Sequence, residues 1–232
     1  MSLVPSVTET LLALGVRPVA CTRFCEQPSL DHVGGTKNPD VDAIVALGPD
    51  LVVVNDEENR IEDVDRLREL GIDLHDMSPR SVDDLGPAVC RLGEAVGAAV
   101  PDPFPDWEGW LARQRGRRPP MTRSAFVPVW RRPWMSLAAD TFGSSLLELL
   151  GWGNVFAGAT ERYPEVTLDE AAARQPDVVL LPSEPYAFKA RHVTEVSAAV
   201  PGARVLLVDG QDLFWWGIRT PGAVERLAAA LS

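Results

Sequence analysis

The chain has 232 residues, of which 46% are apolar, a size and composition typical of a folded globular protein with room for two small lobes. Its 33 acidic residues outnumber the 22 Lys and Arg, and the net charge of -11 argues against nucleic acid as a partner, because phosphates would be repelled. No stretch approaches the roughly 18 apolar residues of a membrane span, so no transmembrane segment is expected.

The first 79 residues predict an α/β lobe. The segment after Pro5 has helical spacing and ends at Gly15, and later apolar runs alternate with amphipathic stretches. The alternation of strand and helix predicts a mainly parallel sheet covered by helices. The predicted elements are a helix after Pro5, a strand over 16–20, a helix over 42–47, a strand over 51–54 and a helix over 61–70.

Residues 80–120 predict a helical connector. Ser81 stands three positions before Asp84, the spacing of a capping box at the start of an amphipathic helix over 81–96. Three prolines within 101–105 interrupt the chain, and a second helix is predicted over 106–117 before Pro119 and Pro120.

Residues 121–232 predict a second α/β lobe. Strands are predicted over 124–129, 178–181 and 205–208, and a helix over 142–150 ends at Gly151. Loops are predicted over 130–135, 182–188 and 209–217, each after the C-terminal end of a strand, before a closing helix over 221–231. In open parallel sheets that edge is the ligand-binding edge.

One sequence pattern occurs in both lobes, in residues 39–54 and 164–181. In each copy a proline and an acidic residue precede a short helix, and a Pro-Asp turn then leads into aliphatic residues. The spacing of about 125 residues is too long for a solenoid repeat, so we expect two related halves with a ligand held in the cleft between them.

Aromatic residues are concentrated in the predicted loops. Trp130, Trp134, Trp215 and Trp216 stand outside predicted strands, accompanied by Phe24, Tyr186 and Phe188. Either they seal the rim of a lobe or they face a flat, largely apolar ligand, which the grouping in two separate loops favours. Arginines and acidic residues in the same loops are either solvated or partners for the polar edges of that ligand, namely Arg23, Arg131, Arg132, Arg219 and the segment 55–58.

Catalytic and metal signatures are absent from the sequence. No phosphate-binding or nucleophile motif follows a predicted strand, so we expect no enzyme and no intrinsic cofactor. Three cysteines do not indicate a disulfide framework, and Cys21 and Cys25 are interpreted as unrelated loop thiols rather than a metal clip. The histidines His32, His75 and His192 are expected at the surface.

Motifs along the whole chain resemble the helical-backbone metal-receptor superfamily, which has the class III periplasmic-binding-protein fold. The similarity is closest to the cobalamin (vitamin B12) binding proteins of ABC importers. It is carried by Val4-Pro-Ser-Val-Thr-Glu9, Val33-Gly-Gly-Thr36, Asn38-Pro-Asp40, the segments 44–54 and 64–71, Leu149-Leu-Gly151 with Asn154-Val-Phe156, Tyr163-Pro-Glu-Val166, Pro176-Asp-Val-Val179, and Trp215 before Pro221.

The resemblance implies a non-catalytic monomer that binds cobalamin or a related corrinoid and delivers it to an ABC transporter permease. The ligand-binding residues predicted from the loops and the resemblance are Pro5, Ser6, Arg23, Phe24, Asn55, Glu57, Trp130, Arg131, Trp134, Met135, Tyr186, Trp215, Trp216 and Arg219. Two alternatives are an iron-siderophore or haem binding protein and a cytoplasmic enzyme of corrinoid or metal-cofactor metabolism on the same scaffold. Because no basic signal region precedes the first strand, a cytoplasmic location is expected, or an extracytoplasmic one if the true N-terminus is missing.

Overall fold

The computed structural model describes residues 1–117 and 120–232 and divides into two compact units. Unit 1 contains Met1–Pro79, Leu85–Trp107 and Trp216–Arg219, and unit 2 contains Arg80–Asp84, Glu108–Trp215 and Thr220–Ser232. Both units draw on the connector predicted over 80–120, in which Arg118 and Pro119 lie outside the described residues. The predicted boundaries at 79 and 120 stay a prediction.

Unit 1 is built on a parallel sheet. β1 (Ala20–Cys21) pairs with β2 (Asp31–His32), β3 (Val52–Val54) pairs with β4 (Leu74–Asp76), and both pairs are parallel. Ser2 bridges Cys21 and Val53 and so joins the two pairs. All of β3 is buried, as expected for a parallel strand covered on both faces.

The strand predicted over 16–20 is wrong except at its last residue. The chain turns at Gly15, where φ is +78°, and the Val16 amide donates to the Leu11 carbonyl, which completes the helix end. Pro18 then has no amide hydrogen to offer a strand partner. Pairing therefore begins only at Ala20.

Four helices cover the unit 1 sheet or extend from it. The second and third of them pack around a core that includes Leu3, Ile44 and Leu67, each almost fully buried. The last of them starts in unit 2 and continues in unit 1 from Leu85. The helices are α1 (Pro5–Ala13), α2 (Val41–Leu47), α3 (Ile61–Glu69) and α4 (Val82–Val96).

The predicted capping box at Ser81 is confirmed. The Asp84 amide donates to Ser81 Oγ at 3.3 Å, and the Ser81 amide donates to Asp84 Oδ2 at 2.9 Å. After α4, a 3-10 turn over Phe104–Asp106 leads into α5 (Trp107–Arg117). A Cβ at Gly86 would lie 2.2 Å from the Trp107 Cβ, so only glycine lets Trp107 pack against α4.

Unit 2 contains a four-stranded parallel sheet and a short antiparallel ribbon. The sheet order is β10-β9-β5-β7, and the ribbon pairs β6 with β8. All residues of β9 are buried at the centre of the sheet. The strands are β5 (Arg123–Phe126), β6 (Trp134–Met135), β7 (Trp152–Asn154), β8 (Glu165–Val166), β9 (Val178–Pro182) and β10 (Arg204–Val208).

Five helices complete unit 2 together with most of α5. Thr141 caps the first of them through a hydrogen bond from the Ser144 amide to its hydroxyl at 3.3 Å. They are α6 (Phe142–Leu149), α7 (Leu168–Ala173), α8 (Ala190–Ala199), α9 (Gly210–Phe214) and α10 (Thr220–Leu231).

Two predicted loops of unit 2 contain regular structure. Residues 130–135 include β6, whose partner β8 lies about 30 residues further along the chain. Residues 209–217 include α9, which Asp209 caps by accepting a hydrogen bond from the Gln211 amide at 3.0 Å. A two-residue strand and a one-turn helix are too short to produce a periodic pattern.

The duplicated sequence pattern forms the same elements in both units. Its first copy is α2 followed by β3, and its second is α7 followed by β9, in separate sheets. Each turn passes through a positive φ just before its Pro-Asp pair, at Gly48 (55°) and at Gln175 (51°). Thr167 caps α7 in a full capping box with Glu170, and Asp40 caps α2. The α/β class with helix-covered parallel sheets is therefore confirmed.

Within the ranges that the structure describes, no helix has the length and apolar character needed to cross a membrane.

Replacement of Thr167 by alanine tests the cap. The variant loses the hydroxyl that accepts from the Glu170 amide at 3.1 Å, so its free energy of unfolding should fall by about 1 kcal/mol in urea titrations. Thr160→Ala, in an exposed loop, is the matched control and should change the same quantity by less than about 0.5 kcal/mol. Equal losses in the two variants would contradict a capping role.

Candidate functional site

The largest group of aromatic side chains at strand ends lies in unit 2. β5 and β9 are hydrogen-bonded neighbours in a parallel sheet, so the loops that follow them leave the same edge side by side. The loop after β5 carries Trp130 and Trp134, and the loop after β9 carries Tyr186 and Phe188. Together with His192 from α8, these residues form what we call the aromatic cluster.

The rings of the aromatic cluster are in direct contact. The indole of Trp134 stacks on Phe188 with ring centroids 5.9 Å apart and planes 10° apart. The edge of Tyr186 meets Trp130 at 5.7 Å, and Tyr186 also lies 4.7 Å from Phe188. His192 contacts Tyr186 at 5.6 Å and Phe188 at 5.5 Å. Such offset and edge contacts are the favourable geometries for aromatic pairs.

Burial of the rings decreases from the base of the aromatic cluster to its outer end. His192 and Phe188 are only 2% and 5% exposed, Trp134 and Tyr186 are half-buried, and Trp130 is 44% exposed. The buried members fix the positions of the others, and the partly exposed rings remain accessible to solvent at the outer end of the cluster. A solvent-facing set of supported aromatic rings is suited to contact with a flat apolar surface.

Arg131 connects the two loops and α8. Its Nη2 donates to both carboxylate oxygens of Glu195, at 2.8 and 3.0 Å, and its guanidinium lies 5.8 Å from the Trp134 ring centroid. The hydrogen bond with Glu195, assisted by one with Tyr186, holds the pKa of Arg131 above its ordinary value. Its Nε is buried and makes no hydrogen bond. Arg131 therefore orients its neighbours and stays charged at all ordinary pH values.

His192 is buried and neutral, and the expectation of a surface histidine is wrong for this residue. The Lys189 amide donates to its Nδ1 at 2.9 Å and Arg191 Nε donates to its Nε2 at 3.2 Å, so both ring nitrogens face N–H donors, which disfavours the doubly protonated imidazolium. Burial lowers the pKa of His192, and the charges of Arg191, Arg131 and Lys189 lower it further against the opposing effect of Glu195. The ring thus supports the rings above it in its uncharged form.

Met135 belongs to the framework of the same loop. Its amide donates to the Trp130 carbonyl at 3.1 Å, and its carbonyl accepts from the Val129 amide at 2.8 Å. These bonds close a tight turn that fixes the entry and exit of the segment carrying Trp130 and Arg131.

A smaller group of predicted site residues lies at the strand ends of unit 1. Arg23 and Phe24 stand on a 3-10 turn over Arg23–Cys25, with the guanidinium 4.9 Å from the ring centroid. A Cβ at Gly35 would come within 3.1 Å of the Phe24 ring and 3.2 Å of the Arg23 guanidinium, so both side chains rest on this glycine. Phe24 is 50% exposed, which leaves one face open to solvent.

Asn55 organises the neighbouring acidic loop. Its Nδ2 donates to the Met77 carbonyl at 3.0 Å, and its Oδ1 accepts from the amides of Glu57 and Glu58 at 2.9 Å each. Lys37 Nζ donates to the Glu57 carbonyl. Burial raises the pKa of the Glu58 carboxyl, although Lys37 lowers it. Asn55 thus fixes the conformation of the loop, because both the nitrogen and the oxygen of its side-chain amide form hydrogen bonds.

Four other predicted site residues assemble around α1 in unit 1. Pro5 and Ser6 are buried in its first turn, Trp216 is buried, and Arg219 forms a two-bond ion pair with Glu9 at 2.9 and 3.0 Å. The segment 216–219 is tied down further because the Ile218 amide donates to Thr10 Oγ1 at 3.2 Å. These residues attach the segment to α1.

Trp215, the remaining predicted residue, ends α9 in unit 2 and is half-buried. It follows β10, whereas the aromatic cluster follows β5 and β9. The structure thus joins Trp130, Arg131, Trp134, Met135 and Tyr186 and places the other predicted residues in separate groups.

Two residues that support the aromatic cluster, His192 and Glu195, were not among the predicted site residues. They stand three positions apart on α8, just after the aromatic loop, so both point to the same side of that helix. That spacing was the available signal. For metals, the described residues contain no group of three or more His, Cys, Asp or Glu side chains able to hold an ion.

Comparison with known proteins indicates what the chain is similar to. No protein-family model matches it. A vitamin B12-binding protein of Vibrio cholerae is 25% identical over 190 residues, which cover 77% of this chain and 68% of the relative. Among solved structures, the periplasmic vitamin B12 binding protein BtuF of Vibrio cholerae has a TM-score of 0.81 and 24% identity, with 99% of this chain and 94% of that chain covered.

A second solved structure is nearly as similar. The periplasmic heme binding protein HutB of Vibrio cholerae has a TM-score of 0.80 and 20% identity, and the match covers 99% of this chain and 97% of that chain. These likenesses establish the fold of the periplasmic binding proteins for this chain.

Acidification should destabilise the protein through two imidazoles, the buried one of His192 and the half-buried one of His75. The pKa is lowered in folded His192, and in His75 through burial and Arg91, so the unfolded chain binds more protons below about pH 6.5. The free energy of unfolding should therefore fall as the pH drops below about 6.5. In urea titrations across that range, the free energy of unfolding of His192→Asn should depend less on pH than that of the parent, because asparagine does not titrate. Its amide oxygen can still accept a hydrogen bond from the Lys189 amide, so the local structure is kept.

His32→Asn provides the control for this pH effect. His32 is exposed in β2, so this variant loses an imidazole without changing the packing of the buried core. A His192→Asn profile parallel to that of the parent would show that the buried ring does not control acid stability.

Proposed function

We propose that this chain is a non-catalytic binding protein for cobalamin or a related corrinoid and acts as the substrate-binding component of an ABC importer. The observation that carries the proposal is the aromatic cluster, a supported and partly exposed set of rings at the strand ends of a periplasmic-binding-protein fold. The name of the Vibrio cholerae relative supports the choice of ligand.

The chemistry of a corrinoid agrees with these side chains. Its macrocycle is a broad, nearly flat apolar body, and its edge carries amide groups that donate and accept hydrogen bonds. Trp130, Trp134 and Tyr186 offer aromatic faces to the macrocycle, and Arg131 with Met135 holds them in place. The ligand is the only metal chelate in this proposal, and the protein contributes no resident cofactor.

The strand ends of unit 1 supply the other proposed contacts. Phe24 offers a half-exposed ring beside the guanidinium of Arg23, and the loop shaped by Asn55 presents Glu57 as an acceptor. Pro5, Ser6, Trp216 and Arg219 act in this proposal by fixing α1 and the segment attached to it. Trp215 contributes an additional indole after β10.

The proposal includes a permease of an ABC importer as partner and an extracytoplasmic location. The structural neighbours BtuF and HutB, both periplasmic binding proteins, support this location. The expectation of a cytoplasmic protein receives no support from the comparisons, and neither does the enzyme alternative, because the compared proteins are described as binding proteins.

Haem is the second candidate ligand, since the heme binding protein HutB matches the chain with a TM-score close to that of BtuF. Haem is also flat and apolar, but its edge carries two carboxylates where a corrinoid carries amides. An iron-siderophore would likewise require cationic partners. The ion pairs of Arg131 with Glu195 and of Arg219 with Glu9 leave less positive charge for such anions, which favours the neutral corrinoid.

A direct test mixes the protein with cyanocobalamin or with haemin, removes free ligand by desalting and records the visible spectrum. Corrinoid absorbance should remain with the protein at close to one ligand per chain, while haemin should be lost at the same concentration. Retention of haemin alone would identify haem rather than a corrinoid as the ligand, and loss of both ligands would refute the proposal.

Tryptophan variants locate the site. Trp130→Ala and Trp134→Ala should each weaken cyanocobalamin binding by about 2 kcal/mol or more, roughly 30-fold in Kd, since each removes a ring at the proposed contact. Binding is measured by quenching of the remaining tryptophan fluorescence or by calorimetry.

Trp110→Ala is the control for these variants, because it removes a half-buried indole from α5, away from the aromatic cluster. Its Kd should match that of the parent. If the cluster variants also bind like the parent while remaining folded by circular dichroism, the ligand site lies elsewhere.

A further inference from the structure

Two buried thiols lie side by side beneath the 3-10 turn of unit 1. Cys21 ends β1, Cys25 ends the turn, and both are free and almost completely buried. With Leu30 they form a small buried cluster of their own. The Cys25 amide donates to the Thr22 carbonyl at 3.1 Å, so the chain reverses and brings the two side chains to the same place.

The surroundings of Cys25 position its sulfur. The Thr8 hydroxyl donates to Cys25 Sγ at 3.2 Å, the Thr22 hydroxyl lies 3.3 Å from the same atom, and a hydrogen bond joins the two thiols. Burial, together with the neighbouring Cys25, raises the pKa of Cys21 to about 12 in the folded protein. The third cysteine has a different partner, because the thiol of Cys90 donates to the Phe104 carbonyl.

We propose that Cys21 and Cys25 form a disulfide when the chain folds in the presence of a small-molecule disulfide such as oxidised glutathione. The Cys25 thiolate attacks one glutathione sulfur, the glutathione disulfide bond breaks, and one glutathione thiolate leaves. The Cys21 thiolate then attacks Cys25 Sγ in the mixed disulfide, and the second glutathione thiolate leaves. Two electrons pass from the cysteines to glutathione, and the two cysteine protons are transferred to solvent and the leaving thiolates.

Exchange takes place before the turn closes. In the folded protein burial disfavours the Cys21 thiolate and excludes the oxidant from both cysteines, whereas in the open chain both thiols are solvated. Once formed, the bond connects the end of β1 to the end of the turn that carries Arg23 and Phe24. Its consequence for ligand binding rests on the proposed function, but the bond itself does not, so the test uses no ligand.

The experiment refolds the full chain from urea with a mixture of oxidised and reduced glutathione and isolates the folded monomer. Free thiols are then alkylated in denaturant, and the protein is digested with trypsin without reduction. Cleavage after Arg23 separates the two cysteines, since Arg17 precedes a proline and is not cut. The peptides 1–23 and 24–37 should therefore be recovered joined, with a mass about 2 Da below their sum, and should separate on reduction.

Two variants serve as controls. Cys90→Ser should give the same joined pair, and Cys25→Ser should give only separate peptides. Recovery of the parent's two peptides apart and alkylated would overturn the proposal, as would a disulfide that includes Cys90. The proposal also fails if the joined pair occurs only in aggregated protein, because the bond must be compatible with the folded state.

Discussion

Parallel pairing of β5 with β9 is the constraint on which the candidate site depends. Neighbouring parallel strands run in the same direction, so the segments that follow them must leave the sheet at one edge. In this chain those segments carry Trp130, Trp134, Tyr186 and Phe188. The hydrogen-bonding pattern of the backbone thus brings together side chains more than 50 residues apart in sequence. The buried rings of Phe188 and His192 then hold these side chains in position.

Charged side chains around the aromatic cluster form local ion pairs. Arg131 is paired with Glu195 of α8, and in unit 1 Arg219 is paired with Glu9 of α1, so each of these two cations is neutralised by a carboxylate from a helix. His192 stays uncharged because it is buried among Arg131, Arg191 and Lys189. An aromatic surface supported by neutralised charges suits a neutral, flat ligand better than a strongly anionic one.

Both units contain the same helix–turn–strand element, but different residues cap its helix and form its turn. Asp40 alone caps α2, whereas Thr167 and Glu170 form a reciprocal box at α7. The turns reach the same positive φ with Gly48 in one copy and Gln175 in the other. Because glycine adopts this conformation without strain and glutamine does not, the turn of the second copy carries a conformational cost that the first avoids.

The sequence by itself determined the elements whose signals are local. The cap at Ser81, the Pro-Asp turns and the aliphatic run of β3 lie within a few residues of the structures they specify, and the aromatic loops were placed at strand ends for the same reason. Only the tertiary structure decided which loops became neighbours. It paired β6 with β8, attached Trp216 and Arg219 to unit 1, buried His192, and brought Cys21 and Cys25 together. Burial and strand pairing are set by contacts between segments distant in sequence, which no local pattern encodes.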